Sequence, residues 1–266
     1  MRTCRLLLLC CLTLAVPAWA QQPAVSVAVM SIELPVEPDA DGALAAALAA
    51  KIAALRPDVV AVLRAEQQGS APSAACELAR RINYSCSFVT AAPPSHALRQ
   101  GSALLARHRL LEDGITLLHS PGPYSAAGMV RLQLDGQPLN VYVAQVTEDT
   151  VDPADRAQQL DDLRRWIEAT DDHLPSLVAG RFALEGPTLV RHLPGFQPAG
   201  TNPRRDAASA TRTPLEVLYR VRQFADVSQR LLAIPHPDGS RSGVLGSLAV
   251  LRLLPSAANP APATPR

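Results

Sequence analysis

Residues 176–187 read SLVAGRFALEGP. Residues 174–180 form a short apolar run of the kind that makes a buried strand. It ends in Gly180-Arg181-Phe182-Ala183, and Gly186-Pro187 then marks a turn. A strand of this kind presents its last side chains at the edge of a sheet. Here those side chains are Arg181 and Ala183. The flanks say which sheet this is. Upstream, Asp152-Pro153 begins a helix that runs to about Thr170. Pro153 suits the first helical position, and Leu160, Leu163, Trp166 and Ile167 form its apolar stripe. Before that helix, GMVRLQLDGQPLNVYVAQV (128–146) has the pattern of a hairpin, with Asp135-Gly136 at its turn.

Farther out, AVSVAVMSIEL (24–34) alternates as a strand. Leu44, Leu48, Ile52 and Leu55 repeat at helical spacing, and Pro57 stops that helix. DVVAVL (58–63) is an apolar strand. Ser73 to Ile82 reads as a helix with Asn83 as terminator, and SCSFVT (85–90) as a strand. GSALLAR (101–107) and GITLLHS (114–120) add two strands. LEVLYRV (215–221), SQRLLAI (228–234) and GSLAVLRL (246–253) close the pattern. The hairpins are too many for a doubly wound sheet. An α/β fold with two packed mixed sheets and helices outside, a four-layer α/β/β/α sandwich, fits better.

The 266 residues carry 25 basic and 24 acidic side chains, and a net charge of +1 gives no general pull toward nucleic acid. Aromatics at 4% leave few platforms for stacking bases. Residues 1–20 have the form of a cleaved signal peptide: Arg2 and Arg5, an apolar run from Leu6 to Val16, then Ala18-Trp19-Ala20. That run is shorter than the ~20 residues a membrane span needs, and no other segment reaches that length. The expectation is an exported bacterial protein, periplasmic or secreted. It would have one domain over 21–254 and a disordered Pro/Ala-rich tail over 255–266. Of five cysteines, Cys76 and Cys86 lie beyond the signal. An oxidising compartment favours a disulfide between them, the alternative being two small buried thiols. Two cysteines without a nearby His pair do not make a zinc site.

The order of elements and several local motifs resemble the endonuclease/exonuclease/phosphatase superfamily, the DNase I-like phosphoesterases. The likeness covers about residues 24–254. RPDVVAVLRAEQQ matches a P-D-V…L-Q-E strand, and GSALLARHRL matches a G-x-A…L-x-R segment. VYVAQV stands at a strand ending T-H-L. ADRAQQL stands at an R-x-x-Q-L helix start, with Arg156, Gln159 and Leu160 matching. VAGRFAL stands at G-D-F-N, and SGVLGSL at S-D-H. The resemblance implies metal-assisted phosphoester hydrolysis. A carboxylate and an asparagine would hold Mg²⁺, and a histidine paired with an aspartate would handle the proton of the attacking water.

Carried over position by position, those roles land on other residue types. The opening asparagine falls on Ser31 and the metal-binding glutamate on Arg64. The T-H-L histidine falls on Gln145, and the G-D-F-N pair on Arg181 and Ala183. The S-D-H pair falls on Gly243 and Val244. Only a loose I-D-x-I match keeps an acid, Glu216. Framework residues such as Gly180 and Phe182 persist, while the chemical ones do not. The expectation is a catalytically inactive member that serves as a binding or interaction module, with no cofactor. Its partner would be an anionic small molecule or a protein.

Arg64 and Arg181, with Arg204, Arg205 and Arg212 from a bordering loop, are the candidate anion-binding groups. Alternatively, these arginines pair with nearby carboxylates or lie along a wet surface. The competing function is an active phosphoesterase with rearranged ligands, Glu66 and Glu216 being its weak metal candidates and Mg²⁺ its cofactor. Glu66 follows Arg64 by two residues, one pleat away, and a bulge is needed to bring it to the same ion. The six histidines are scattered, none spaced i,i+4, and read as surface or loop residues. No G-x-S-x-G, P-loop or G-x-G-x-x-G motif occurs.

Overall fold

A computed structural model of the chain describes residues 25–35, 42–119, 121–146, 152–182, 184, 186–200, 215–239 and 243–254. The signal segment, the tail, Ala183, Arg204, Arg205 and Arg212 lie outside the described residues. Among the described residues four helices and twelve strands follow in this order: β1 (Ser26–Glu33), α1 (Ala43–Leu55), β2 (Val59–Gln68), α2 (Ala74–Arg81), β3 (Ser85–Val89), β4 (Leu98–Ala106), β5 (Leu110–Leu117), β6 (Ala126–Leu134), β7 (Gln137–Val146), α3 (Pro153–Thr170), β8 (Ser176–Phe182), α4 (Gly186–His192), β9 (Phe196–Pro198), β10 (Leu215–Arg220), β11 (Phe224–Ile234) and β12 (Val244–Leu253).

The strands form two mixed six-stranded sheets, ordered β11-β12-β1-β2-β4-β3 and β5-β6-β7-β8-β10-β9. Their inner faces meet in one apolar layer. Val27, Val29, Ala61 and Leu63 of the first sheet pack there with Val141, Val143, Leu177 and Ala179 of the second. α1 and α2 cover the outer face of the first sheet through Leu44, Leu48, Ile52 and Leu78. α3 and α4 cover the outer face of the second through Leu160, Leu163, Ile167 and Leu189. This is the expected four-layer sandwich.

Local sequence explains most boundaries. The Ser73 side chain accepts a hydrogen bond from the Cys76 amide and caps α2. Asp152 caps α3 with Pro153 behind it. Asn83, at φ 58°, ends the turn after α2. The Gly186-Pro187 turn is instead the start of α4, where proline's fixed φ suits a first turn. The structure joins Cys76 to Cys86 in a disulfide that ties α2 to β3.

Two motif glycines are required by close approach. A Cβ on Gly101 would stand 1.9 Å from the Val89 carbonyl oxygen, and one on Gly180 would stand 2.0 Å from that of Ala144. The P-D-V aspartate is also structural. Asp58 Oδ2 accepts from the Ala28 amide at 2.7 Å, and Oδ1 bonds His108 Nε2 at 2.7 Å and accepts from Arg107. His108 is therefore not a plain surface histidine. It secures the amino end of β2.

Candidate cleft at the carboxyl ends of the parallel strand pairs

β1 and β2 run parallel in one sheet, and β7 and β8 run parallel in the other. Pairing fixes which side chains share a face. Ser247 and Ser31 are directly opposed, as are Leu245 and Glu33. Ser31 and Glu33 continue the inner face of Val27 and Val29, because side chains alternate. Across the sandwich, Gln145 of β7 pairs with Arg181 of β8 and continues the inner face of Val141 and Val143. Ser31, Glu33, Gln145, Arg181 and Ser247 therefore face one another where the sheets open.

The central contact is an ion triad. Arg181 Nη1 donates to Glu33 Oε1 at 2.7 Å, joining the two sheets, and Arg64 Nη1 approaches the same oxygen at 3.5 Å. The side chains of Arg181 and Glu33 are only 16% and 14% exposed, so the pair is poorly screened. Tyr124 lies close by: burial pushes its phenol up, Arg64 opposes the rise, and Glu66 and Glu33 add to it. Beneath the triad, Ser31 Oγ, Ser247 Oγ and Gln145 Oε1 are buried with no hydrogen-bond partner among the described residues.

Arg64 sits in a β-bulge. The pairing of β2 with β4 shifts register between Val62 and Ala65, and Arg64 has φ 58°. After the bulge Glu66 lies opposite Gln100 and accepts from its Nε2 at 2.7 Å. The bulge needed to re-aim Glu66 is thus present, yet its carboxylate is engaged by an amide.

Two of the residues assigned from motif alignment point the wrong way. Val244, expected to converge with the cleft residues, is buried on the outer face with Leu248 and Ile234. Gly243 precedes it with no room for a side chain, since a Cβ there would lie 2.2 Å from the Ile234 carbonyl oxygen. Glu216 lies between Leu215 and Val217, which face the inner layer, and so points with Leu218 to the outer face of the second sheet. It is 9% exposed, and burial raises its pKa from 4.5 to about 7. It cannot share an ion with Glu66 or Glu33. Motif alignment also misses Glu33. The signal that points to it is its spacing of two from Ser31 on an alternating strand.

This donor set does not fit Mg²⁺. The ion takes six oxygens in an octahedron and favours anionic ones. The carboxylate at the centre here is already shared by two guanidiniums. Among the described residues no three His, Cys, Asp or Glu side chains cluster to hold a metal. No helix among them is long and apolar enough to cross a membrane.

No protein-family model and no curated protein matches the sequence. Solved structures do match the fold. A humanized D. rerio TDP2 superposes with TM-score 0.65 at 14% identity, covering 85% of this chain and 98% of that one. The endonuclease/exonuclease/phosphatase from Bacteroides vulgatus gives 0.65 at 13%, over 86% and 99%. The human Nocturnin catalytic domain with bound sulfate gives 0.61 at 19%, over 86% and 94%. The two packed sheets, their parallel pairs and the cleft between them are thus the fold of the endonuclease/exonuclease/phosphatase proteins.

Proposed function

We propose that the chain is an exported member of the endonuclease/exonuclease/phosphatase superfamily that does not hydrolyse phosphoesters and serves as a binding module for an anionic ligand. The observation that carries this reading is the Arg181–Glu33–Arg64 triad, with cationic groups at the positions the resemblance assigns to carboxylates. A second cation beside them is repelled, and Gln145 cannot act as a histidine base. Positioned acid–base catalysis alone contributes about 10²–10⁴ in rate, so losing it together with the metal leaves little above background.

The test is hydrolysis of a generic phosphodiester by the mature chain during a Mg²⁺ titration. No metal-dependent turnover is expected. Turnover that rises with Mg²⁺ and is lost in Glu33→Gln or Glu66→Gln overturns the proposal in favour of a rearranged phosphoesterase. Export is checked by fractionation: the mature protein should begin near Gln21 and be found outside the cytoplasm.

A further inference from the structure

The inner face of the first sheet runs past the end of the second. Gln229 of β11 donates through Nε2 to the Leu215 carbonyl at the start of β10, at 3.3 Å. Leu231 and Ala233 lie one and two pleats beyond that contact, past the first described residue of β10. Pairing places Leu231, Ser247 and Ser31 in one row, and Ala233, Leu245 and Glu33 in the next. Leu231 is 73% exposed and Leu245 is 44% exposed, both on this inner face. On the opposite face of the same strands, Leu232, Ile234, Val244 and Leu248 are buried in the layer beneath the helices. The strands therefore carry apolar residues on both faces, and on the inner one Leu231 and Leu245 stand exposed while Ser247 and Ser31, farther in, are buried.

The shelf ends at the ion triad. From Ala233 to Glu33 it spans two strand spacings, about 10 Å. One carboxylate lies between two guanidiniums, and the nearby Glu66 carboxylate is engaged by the Gln100 amide. Arg181 uses Nη1 for Glu33, while a guanidinium offers five N–H groups in all. Both arginines already converge on a carboxylate oxygen, so their spacing suits that group. The Ser31 and Ser247 hydroxyls, without partners among the described residues, are fully buried beneath it and form no part of the open surface. An apolar shelf leading to a pair of guanidiniums matches a ligand with a hydrocarbon chain and an anionic head.

We propose that this cleft binds a medium-chain fatty carboxylate, with its head on Arg181 and Arg64 and its chain along Leu231, Ala233 and Leu245. The proposal rests on the anion-binding reading above and names the ligand class. Glu33 then acts as an internal competitor that the ligand head displaces or shares.

Dodecanoate, octanoate and butyrate, each kept monomeric, would be titrated calorimetrically into the mature chain, with inorganic phosphate as a tail-less anion. Dodecanoate should bind one to one. Affinity should fall about fourfold per buried methylene lost, leaving butyrate without measurable heat. The double variant Leu231→Ser/Leu245→Ser should weaken dodecanoate at least about tenfold with an unchanged melting profile. Glu33→Gln should strengthen binding several-fold, and Arg181→Ala should abolish it. Equal affinity for all chain lengths, full binding by the leucine variant, or uptake only from micelles overturns the proposal. If dodecanoate fails while phosphate binds and is lost in Arg181→Ala, the lipid assignment falls and the anion-binding module stands. Mg²⁺-dependent hydrolysis in the separate assay defeats that module reading instead.

Discussion

Glu216 should make the stability of this protein fall as pH rises. Its carboxyl is buried on the outer face of the second sheet, and burial alone lifts its pKa from 4.5 to about 7. The folded state thus binds this proton more tightly than the unfolded state does. Below pH 4.5 the group is protonated in both states and imposes no penalty. As pH climbs through that value the unfolded chain ionises first. The cost to folding grows until about pH 7, above which the carboxylate is charged in both states and the penalty is complete. At about 1.4 kcal/mol per pKa unit, the full effect is about 3 kcal/mol, a sizeable part of a typical folding free energy of about 5–15 kcal/mol. Glu216→Gln keeps the shape and removes the titration. Urea unfolding of both proteins at about pH 4 and about pH 8.5 isolates this term, because other groups cancel in the difference. The variant should gain about 3 kcal/mol on the native chain between the two conditions. A difference that does not change with pH would refute the burial argument.

Arg181→Ala should cost about 2 kcal/mol by stranding a partly buried Glu33. The loss should shrink in a Glu33→Gln background, as a double-mutant cycle of urea midpoints would show. Replacing Cys76 and Cys86 by serine should cost about 2.5 kcal/mol by loop-closure entropy, since the bridge closes a separation of 10 residues; reducing and non-reducing melts would read it. Gly180→Ala should destabilise by about 3 kcal/mol or fail to fold, because its Cβ meets the Ala144 carbonyl. Gly114→Ala, with an ordinary 3.7 Å contact to Trp166, should be nearly neutral to the same melt.

Features that act over a few residues are legible in the chain alone. Alternation places β1, continuous apolar runs place β2 and β8, and 3.6-residue spacing places α1 and α3, while Ser73, Asp152 and Pro153 mark helix starts, because caps and local patterns are short-range. The motif glycines are legible too, and the structure gives the steric reason: Gly101 and Gly180 each lie against a carbonyl of a neighbouring strand. The replacements at Ser31, Arg64, Gln145 and Arg181 stand out as a pattern, and these residues do come to the same end of the sandwich. Facing and partnership, by contrast, emerge only when the sheets pack. A shift of one residue turns a strand side chain to the other face, which is why Val244 and Glu216 point away from the cleft. The Arg64 bulge and the choice of Glu33 as shared counter-ion depend on how two sheets meet. Residues 33, 64 and 181 become neighbours only through packing, and no pattern within a single strand encodes a contact made across the sandwich.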